Sequence, residues 1–274
     1  MSVVLVTGCR SGFGLLTAAE AVRRGHVVYA GVRDPDTADA LVEATGGEAR
    51  VVTLDVTDAA HRAAVVDRIL ADEGRIDALV NNAGRPLGGF LEQLDEDELR
   101  ALFDVNVFAA WAMTKAVLPA MRAQGSGAVV MVGSMSGRMA FPALGAYAAS
   151  KFALEGLSEA WRHELAPFGV RVTIVEPGPY ATDIWDRNRF VGRHAADADS
   201  PYAVLVARID ARLASRAKAS AGDPQEVAAR ICDLIAAPNP AFRHPMGRLS
   251  GLRTAAVKLA PFGLLERAVA RALR

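Results

Sequence analysis

The chain reads as one α/β domain of Rossmann type, a doubly wound, mostly parallel seven-stranded sheet flanked by helices. Two observations predict this. Short β-branched runs alternate with longer Ala/Leu/Arg segments of helical period, the rhythm of repeated βαβ units. The runs Val-Val-Leu-Val from residue 3 and Ala-Val-Val-Met-Val from residue 128 are continuously apolar rather than alternating, as strands covered on both faces must be.

The elements follow from that rhythm. Strands are expected at Val3–Thr7, His26–Val32, Ala49–Leu54, Ala78–Val80, Ala128–Val132 and Val170–Val175, with a short seventh near Phe242–Met246. Helices are expected at Gly12–Arg24, Thr37–Ala44, Ala59–Asp72, Glu96–Ala123, Tyr147–Ala166, Tyr202–Arg216 and Pro224–Ala236. Asp95 with Glu98 three residues later has the form of a capping box, so the acidic run Asp95 to Glu98 complements a helix dipole and needs no functional role. The long irregular stretch from Pro177 to Ser200 leaves the C-terminal end of a strand, where open α/β sheets place ligands. A substrate lid over about 177–220 fits there. Residues 250–274 form a basic amphipathic extension that suits the body of its own domain, another subunit or a membrane surface.

Composition narrows the function classes. The length of 274 residues allows one large domain, and no seam suggests two. With 31 basic and 31 acidic side chains, nucleic acid is not expected as a partner. Cys9 and Cys232 fit no metal or disulfide spacing, which is the usage of a reducing compartment. The apolar run Val3 to Val6 is too short for a secretory signal, and no stretch reads as a membrane span, so a cytoplasmic protein is expected.

Gly8, Gly12 and Gly14 stand at the first strand-to-helix junction with the spacing G-x-x-x-G-x-G. Without side chains there, the backbone can turn tightly against a pyrophosphate while the helix N-terminus supplies N–H groups and positive potential. At the end of the second strand, Val32 takes the place where an acidic residue would hold a free ribose diol, and Arg33 follows it. A guanidinium suits a phosphate dianion, so NADP(H) is expected in preference to NAD(H). Asp34 would then pair with Arg33 or cap the next segment.

Tyr147 and Lys151 are four residues apart, and so share one helix face. The ammonium can therefore approach the phenol and favour its ionised form. Moving a phenol from about 10 to about 7 takes roughly 4 kcal/mol. One charge about 4 Å away at an effective dielectric of about 20 supplies that order of energy. Ser134, after the fifth strand, would point its hydroxyl into the same cleft.

On these motifs together the chain resembles the short-chain dehydrogenase/reductase family over nearly its whole length, with some similarity to its hydroxysteroid and retinol dehydrogenase branch. The resemblance implies that Thr7 to Gly14, including Arg10, Ser11 and Phe13, is the cofactor loop and that Asp55 and Val56 contact the adenine. It implies that Asn81-Asn82-Ala83-Gly84 braces the sheet and lines the cofactor cleft. Ser134 would orient the substrate oxygen and Tyr147 would exchange a proton with it. Lys151 would lower the tyrosine pKa and hold the nicotinamide ribose, and Asn106 would support a water-linked proton relay. Pro177, Gly178 and Thr182 would lie beside the nicotinamide. The helices containing Asn106 and Tyr147 would form the interface of a homodimer or homotetramer.

Leu87, Phe90, Met135, Met139, Phe141, Leu144, Tyr180, Trp185 and Phe190 flank these positions and suggest a hydrophobic ketone, aldehyde or alcohol as substrate. Two other functions stay open. One is an NADP-sensing binding protein without turnover, disfavoured by the intact Ser134, Tyr147 and Lys151. The other is an isomerase or lyase using the same Tyr-Lys pair, disfavoured because little chain remains to hold a nucleotide-sugar.

Overall fold

The computed structural model describes residues 1–180, 190–195, 197, 199–206, 208–209, 222–247, 251 and 259–273. Seven parallel strands form one sheet in the order β3-β2-β1-β4-β5-β6-β7. They are β1 Val3–Thr7, β2 Val27–Val32, β3 Arg50–Thr53, β4 Ala78–Asn81, β5 Gly127–Val132, β6 Val170–Pro177 and β7 Arg243–Met246. The strand order reverses between β1 and β4. Their carboxyl ends therefore splay a crevice at that point.

Helices cover both faces. On one lie α1 Gly12–Arg23, α2 Asp39–Ala44 and α7 Pro224–Ala236. Leu41, Val227 and Ile231 there pack against the β-branched side chains of Val4, Val6 and Val130. On the other lie α3 Ala59–Glu73, α5 Ala109–Gln124 and α6 Gly145–Leu165, with Ile69, Met113, Met121 and Leu154 against Leu5, Leu79 and Val129. Burial of such side chains, at roughly 25 cal/mol per Å² of apolar surface, drives this assembly. Cys9 and Cys232 are buried free thiols, both pushed to high pKa by desolvation, that of Cys232 to about 12.

Three expectations change. The single helix Glu96–Ala123 is α4 Glu96–Phe103, a π-helical turn Asp104–Phe108, and then α5. The wide turn lets the Asn106 side chain bond outside its own helix, and hydrophobic periodicity carries no trace of it. The capping box at Asp95 and Glu98 is present as expected. Secondly, the run Glu96–Gln124 is long and apolar enough on composition to cross a bilayer, but half of its most apolar window is packed inside the fold, as suits a core helix. Thirdly, Thr37–Ala44 is a 3₁₀ turn Pro35–Thr37 followed by the shorter α2. Asp34 accepts from the Asp36 N–H at 3.1 Å, so it caps that turn.

Of the expected helix Tyr202–Arg216, residues 203–206 are helical and most of the remainder lies outside the described residues. In the C-terminal extension the helix α8, Phe262–Leu273, is amphipathic, with Phe262 and Leu264 exposed.

Candidate active site

The site is assembled where β1 and β4 part. Gly8 and Gly12 both adopt left-handed backbone, at φ +72° and +59°, which glycine alone takes without strain. Gly14 does a different job. A methyl group placed on it would lie 2.3 Å from the Gly8 carbonyl oxygen and 2.4 Å from Asn82 Nδ2, so its missing side chain permits the loop to close on β4.

Thr7 is the hub of that closure. Its hydroxyl donates to the Val80 carbonyl at 3.2 Å and accepts the Asn82 and Ala83 N–H groups at 3.0 and 2.9 Å. Asn82 Nδ2 donates to the carbonyls of Thr7 and Gly8 at 2.8 and 3.1 Å, and Asn81 Nδ2 donates to Thr114 Oγ1 at 2.9 Å. The two asparagines thus brace the sheet and the glycine loop.

Several observations fit a dinucleotide here. Ser11 at the N-cap of α1 makes no side-chain capping bond and the first turn of α1 carries no acidic residue, which keeps its positive end suited to a phosphate. Phe13 meets Tyr180 edge-on, with ring centres 5.6 Å apart. Arg33 is exposed at the end of β2, beside Arg10's loop and near enough to lower the pKa of Asp55. That carboxylate is held low because bonds from Thr57, at 2.9 Å from N–H and 2.7 Å from Oγ1, outweigh its partial burial. Val56 is buried and its carbonyl accepts from Arg62 at 2.7 Å. Gly178, following Pro177 at the end of β6, donates its N–H to the Met246 carbonyl at 2.9 Å. Thr182 and Trp185 lie outside the described residues.

Next to this loop stands the second cluster. Gly84 links the two: a methyl on it would lie 3.3 Å from Asn106 Oδ1 and 3.8 Å from Lys151 Nζ, while the preceding Ala83 abuts Gly8. Asn106, in the π-turn, is buried and clamps Arg85, accepting its N–H at 2.8 Å and donating to its carbonyl at 2.9 Å. It also donates to Ser150 Oγ at 3.0 Å.

Ser134 caps the 3₁₀ turn Met135–Gly137 through Ser136 N–H at 3.1 Å, and its hydroxyl is hydrogen-bonded to the Tyr147 phenol. Tyr147 and Lys151 sit on the inner face of α6, only 4% and 5% exposed. Lys151 Nζ donates to the Val132 carbonyl at 2.9 Å and lies 5.8 Å from the centre of the Tyr147 ring. Ser134, Tyr147, Lys151, Asn106 and the glycine loop therefore share one cleft.

The electrostatics correct an expectation. The Tyr147 phenol is not brought toward neutrality by these residues. Burial pushes it up to about 12, opposed by the Ser134 bond. Burial also pushes Lys151 down to about 8. Desolvation is the largest cause in both cases, and it acts on the phenol and the amine in opposite directions. Protein residues alone hold Tyr147 as a proton donor.

The apolar set divides as well. Leu87 is core, packed with Leu102 and Ala146, and Tyr180 belongs to the β-sheet core. Phe90 stacks on Tyr202 with centres 4.4 Å apart, and Phe190 carries the Arg85 guanidinium 4.0 Å from its centre. Sequence reasoning missed Thr7 as a hub, Arg85, and the buried carboxyls Glu155 and Glu176. A Thr closing a strand directly before the glycine loop was the one readable signal among them.

Comparison with known proteins agrees with this geometry. The family profile described as short chain dehydrogenase matches residues 2–190. The chain is 35% identical over 250 residues to a 3-ketodihydrosphingosine reductase of Bacteroides thetaiotaomicron, covering 90% of this chain and 88% of that protein. It is 38% identical over 255 residues to human 17-beta-hydroxysteroid dehydrogenase type 1, covering 89% and 76%. A short chain dehydrogenase from Burkholderia cenocepacia J2315, solved in complex with NADP, superposes with a TM-score of 0.75 at 28% identity, covering 97% of this chain and 96% of that one. The fold and the cleft define a nicotinamide-dependent oxidoreductase acting on CH–OH or C=O groups. The chain belongs to the short-chain dehydrogenase family.

Proposed function

We propose that this protein interconverts a hydrophobic ketone or aldehyde and its alcohol with NADP(H) in preference to NAD(H). The observation that carries the reading is the Ser134 hydroxyl bonded to a buried, protonated Tyr147 phenol one helical turn from Lys151, beside the glycine loop. When bound, the nicotinamide supplies or accepts the hydride. The chain does the rest. Ser134 orients the substrate oxygen, and Tyr147 donates its phenolic proton to that oxygen during reduction and takes it back during oxidation. Lys151 holds the nicotinamide ribose and restrains the charge left on the phenol. Asn106 fixes the Arg85 backbone and Ser150, keeping α6 in register with the end of β4 and with the proton path.

For the cofactor, Gly8, Arg10, Ser11, Gly12, Phe13 and Gly14 hold the pyrophosphate, Asp55 and Val56 the adenine, and Asn82, Ala83 and Gly84 the ribose side of the cleft. Pro177 and Gly178 flank the nicotinamide, and Arg33 takes the 2′-phosphate. The segment 177–220 acts as a lid. Its described part is latched to the α4 entrance by Arg193, which bonds Asp95 at 2.7 Å and also Asp97, and by Gln93, which donates to Ser200 Oγ at 2.9 Å. The substrate preference is supported by the steroid and sphingoid relatives. Phe108, Trp111 and Phe152 stand exposed on the Asn106 and Tyr147 helices, which supports a homodimer or homotetramer, to be weighed by light scattering.

The test is a panel of ketones, aldehydes and secondary alcohols, followed by nicotinamide absorbance with each cofactor in both directions. Turnover of apolar carbonyls with NADPH is expected, faster than with NADH. Tight cofactor binding with no turnover of any compound would leave a sensing protein instead.

A further inference from the structure

Directly behind the catalytic cluster lies a second polar group that the proposed reaction does not use. Glu155 is four residues beyond Lys151, on the same inner face of α6, and Glu176 is the penultimate residue of β6. Their side chains are 7% and 0% exposed. Gly137 brings the Ser134 turn onto this spot, since a methyl there would lie 3.0 Å from the Lys151 carbonyl oxygen and 3.1 Å from Glu155 Cγ.

The charges around the pair can be traced element by element. From the turn after β5, Arg138 Nη1 stands 3.8 Å from both carboxyls. From β7, Arg243 Nε bonds Glu155 at 3.1 Å, stands 3.9 Å from Glu176, and reaches Glu159 at 2.6 Å through Nη2. His244 on β7 is near enough for the Glu176 charge to act on it, and Lys151 and Glu159 are the other ionisable neighbours on α6.

Three carboxyl oxygens in this cluster, Glu155 Oε1 and both of Glu176, have no hydrogen-bond donor among the described residues. Buried acceptors without donors cost free energy, and two carboxylates in contact repel each other. One proton held between Glu155 and Glu176 satisfies two of these three oxygens and removes the repulsion. Burial first and the neighbouring Glu176 second raise Glu155 to about 7, consistent with such sharing. Glu155 is also the charge that opposes the loss of the Lys151 proton.

We propose that Glu155 and Glu176 form a proton-sharing carboxyl pair that positions charge behind Lys151 and so sets the alkaline limit of the Tyr147 site. Both are positioning residues, acting through Lys151 rather than on substrate. The inference rests on the hydride-transfer reading above. As the pair loses its shared proton near neutrality, the added negative charge keeps Lys151 protonated through the range in which burial alone would discharge it.

The test is the pH profile of kcat/KM for NADPH-dependent carbonyl reduction. Glu155→Gln should move the alkaline limb down by about one pH unit. Glu159→Gln, which removes another partner of Arg243 without touching the pair, should leave the profile in place. A folded Glu155→Gln protein with the wild-type profile overturns the proposal. Carbon-13 NMR of glutamate carboxyls in the wild-type protein gives a second readout that needs neither turnover nor a variant. One carboxyl titrating near neutral pH is expected, and its absence overturns the pair even if Glu155→Gln does not fold. Should no carbonyl be turned over at all, the catalytic reading fails while the NMR titration still decides the pair.

Discussion

The two walls of the cleft are built from opposite kinds of polar group. Around Gly8 the contacts are neutral: a threonine hydroxyl, two asparagine amides and backbone carbonyls, each paired at 2.8 to 3.2 Å. Around α6 they are ionisable and buried: a phenol raised, an amine lowered and a carboxyl raised from their ordinary values. A satisfied neutral network holds its geometry at any pH. Buried ionisable groups cost stability and respond to their surroundings, which is where proton chemistry belongs.

If the β1–β4 wall is scaffold, damage to it should cost binding and folding together. Gly14→Ala forces a side chain into backbone, and should lower stability by about 3 kcal/mol or more, with loss of NADPH binding, measured by denaturant titration and fluorescence. Asn82→Ala leaves two carbonyls short of a donor and should cost about 2 kcal/mol by the same assay. Loss of turnover without loss of stability in either variant would erase the contrast between the walls.

The α6 wall predicts a pH signature instead. Lys151 is lowered from 10.5 to about 8, so between those values this one group is protonated in the unfolded chain and not in the folded one, and its contribution to stability rises with pH, against the opposite contribution of the buried thiols Cys9 and Cys232. In thermal melts the wild-type advantage over Lys151→Met should therefore grow as pH rises from about 8 toward 10.5. For Arg33→Ala, roughly tenfold weaker NADPH with little change for NADH is expected from isothermal titration, near 1.4 kcal/mol. The smallest effect belongs to Arg193→Ala, an exposed latch, which should change KM for substrate with no measurable shift in melting.

Much of the scaffold was legible because its causes are local. Val3–Thr7 and Pro224–Ala236 fall where continuous apolar character and helical period place them. Ser134, Tyr147, Lys151 and the glycines were legible as spacing. What escaped depends on burial or distant partners. The π-turn at Asn106 leaves no periodic mark, and the direction of the Tyr147 shift follows from a desolvation that spacing does not report. The Glu155, Glu176 and Arg243 cluster joins three elements that only the folded sheet brings together.

Tyr147→Phe tests the central claim most directly, with stopped-flow hydride transfer and NADPH binding measured on the same preparation. Removing one oxygen from a buried ring should abolish carbonyl reduction while NADPH binds as in wild type. Hydride transfer surviving at the wild-type rate, or reduction and cofactor binding lost in parallel, would contradict the assignment of Tyr147 as the proton donor.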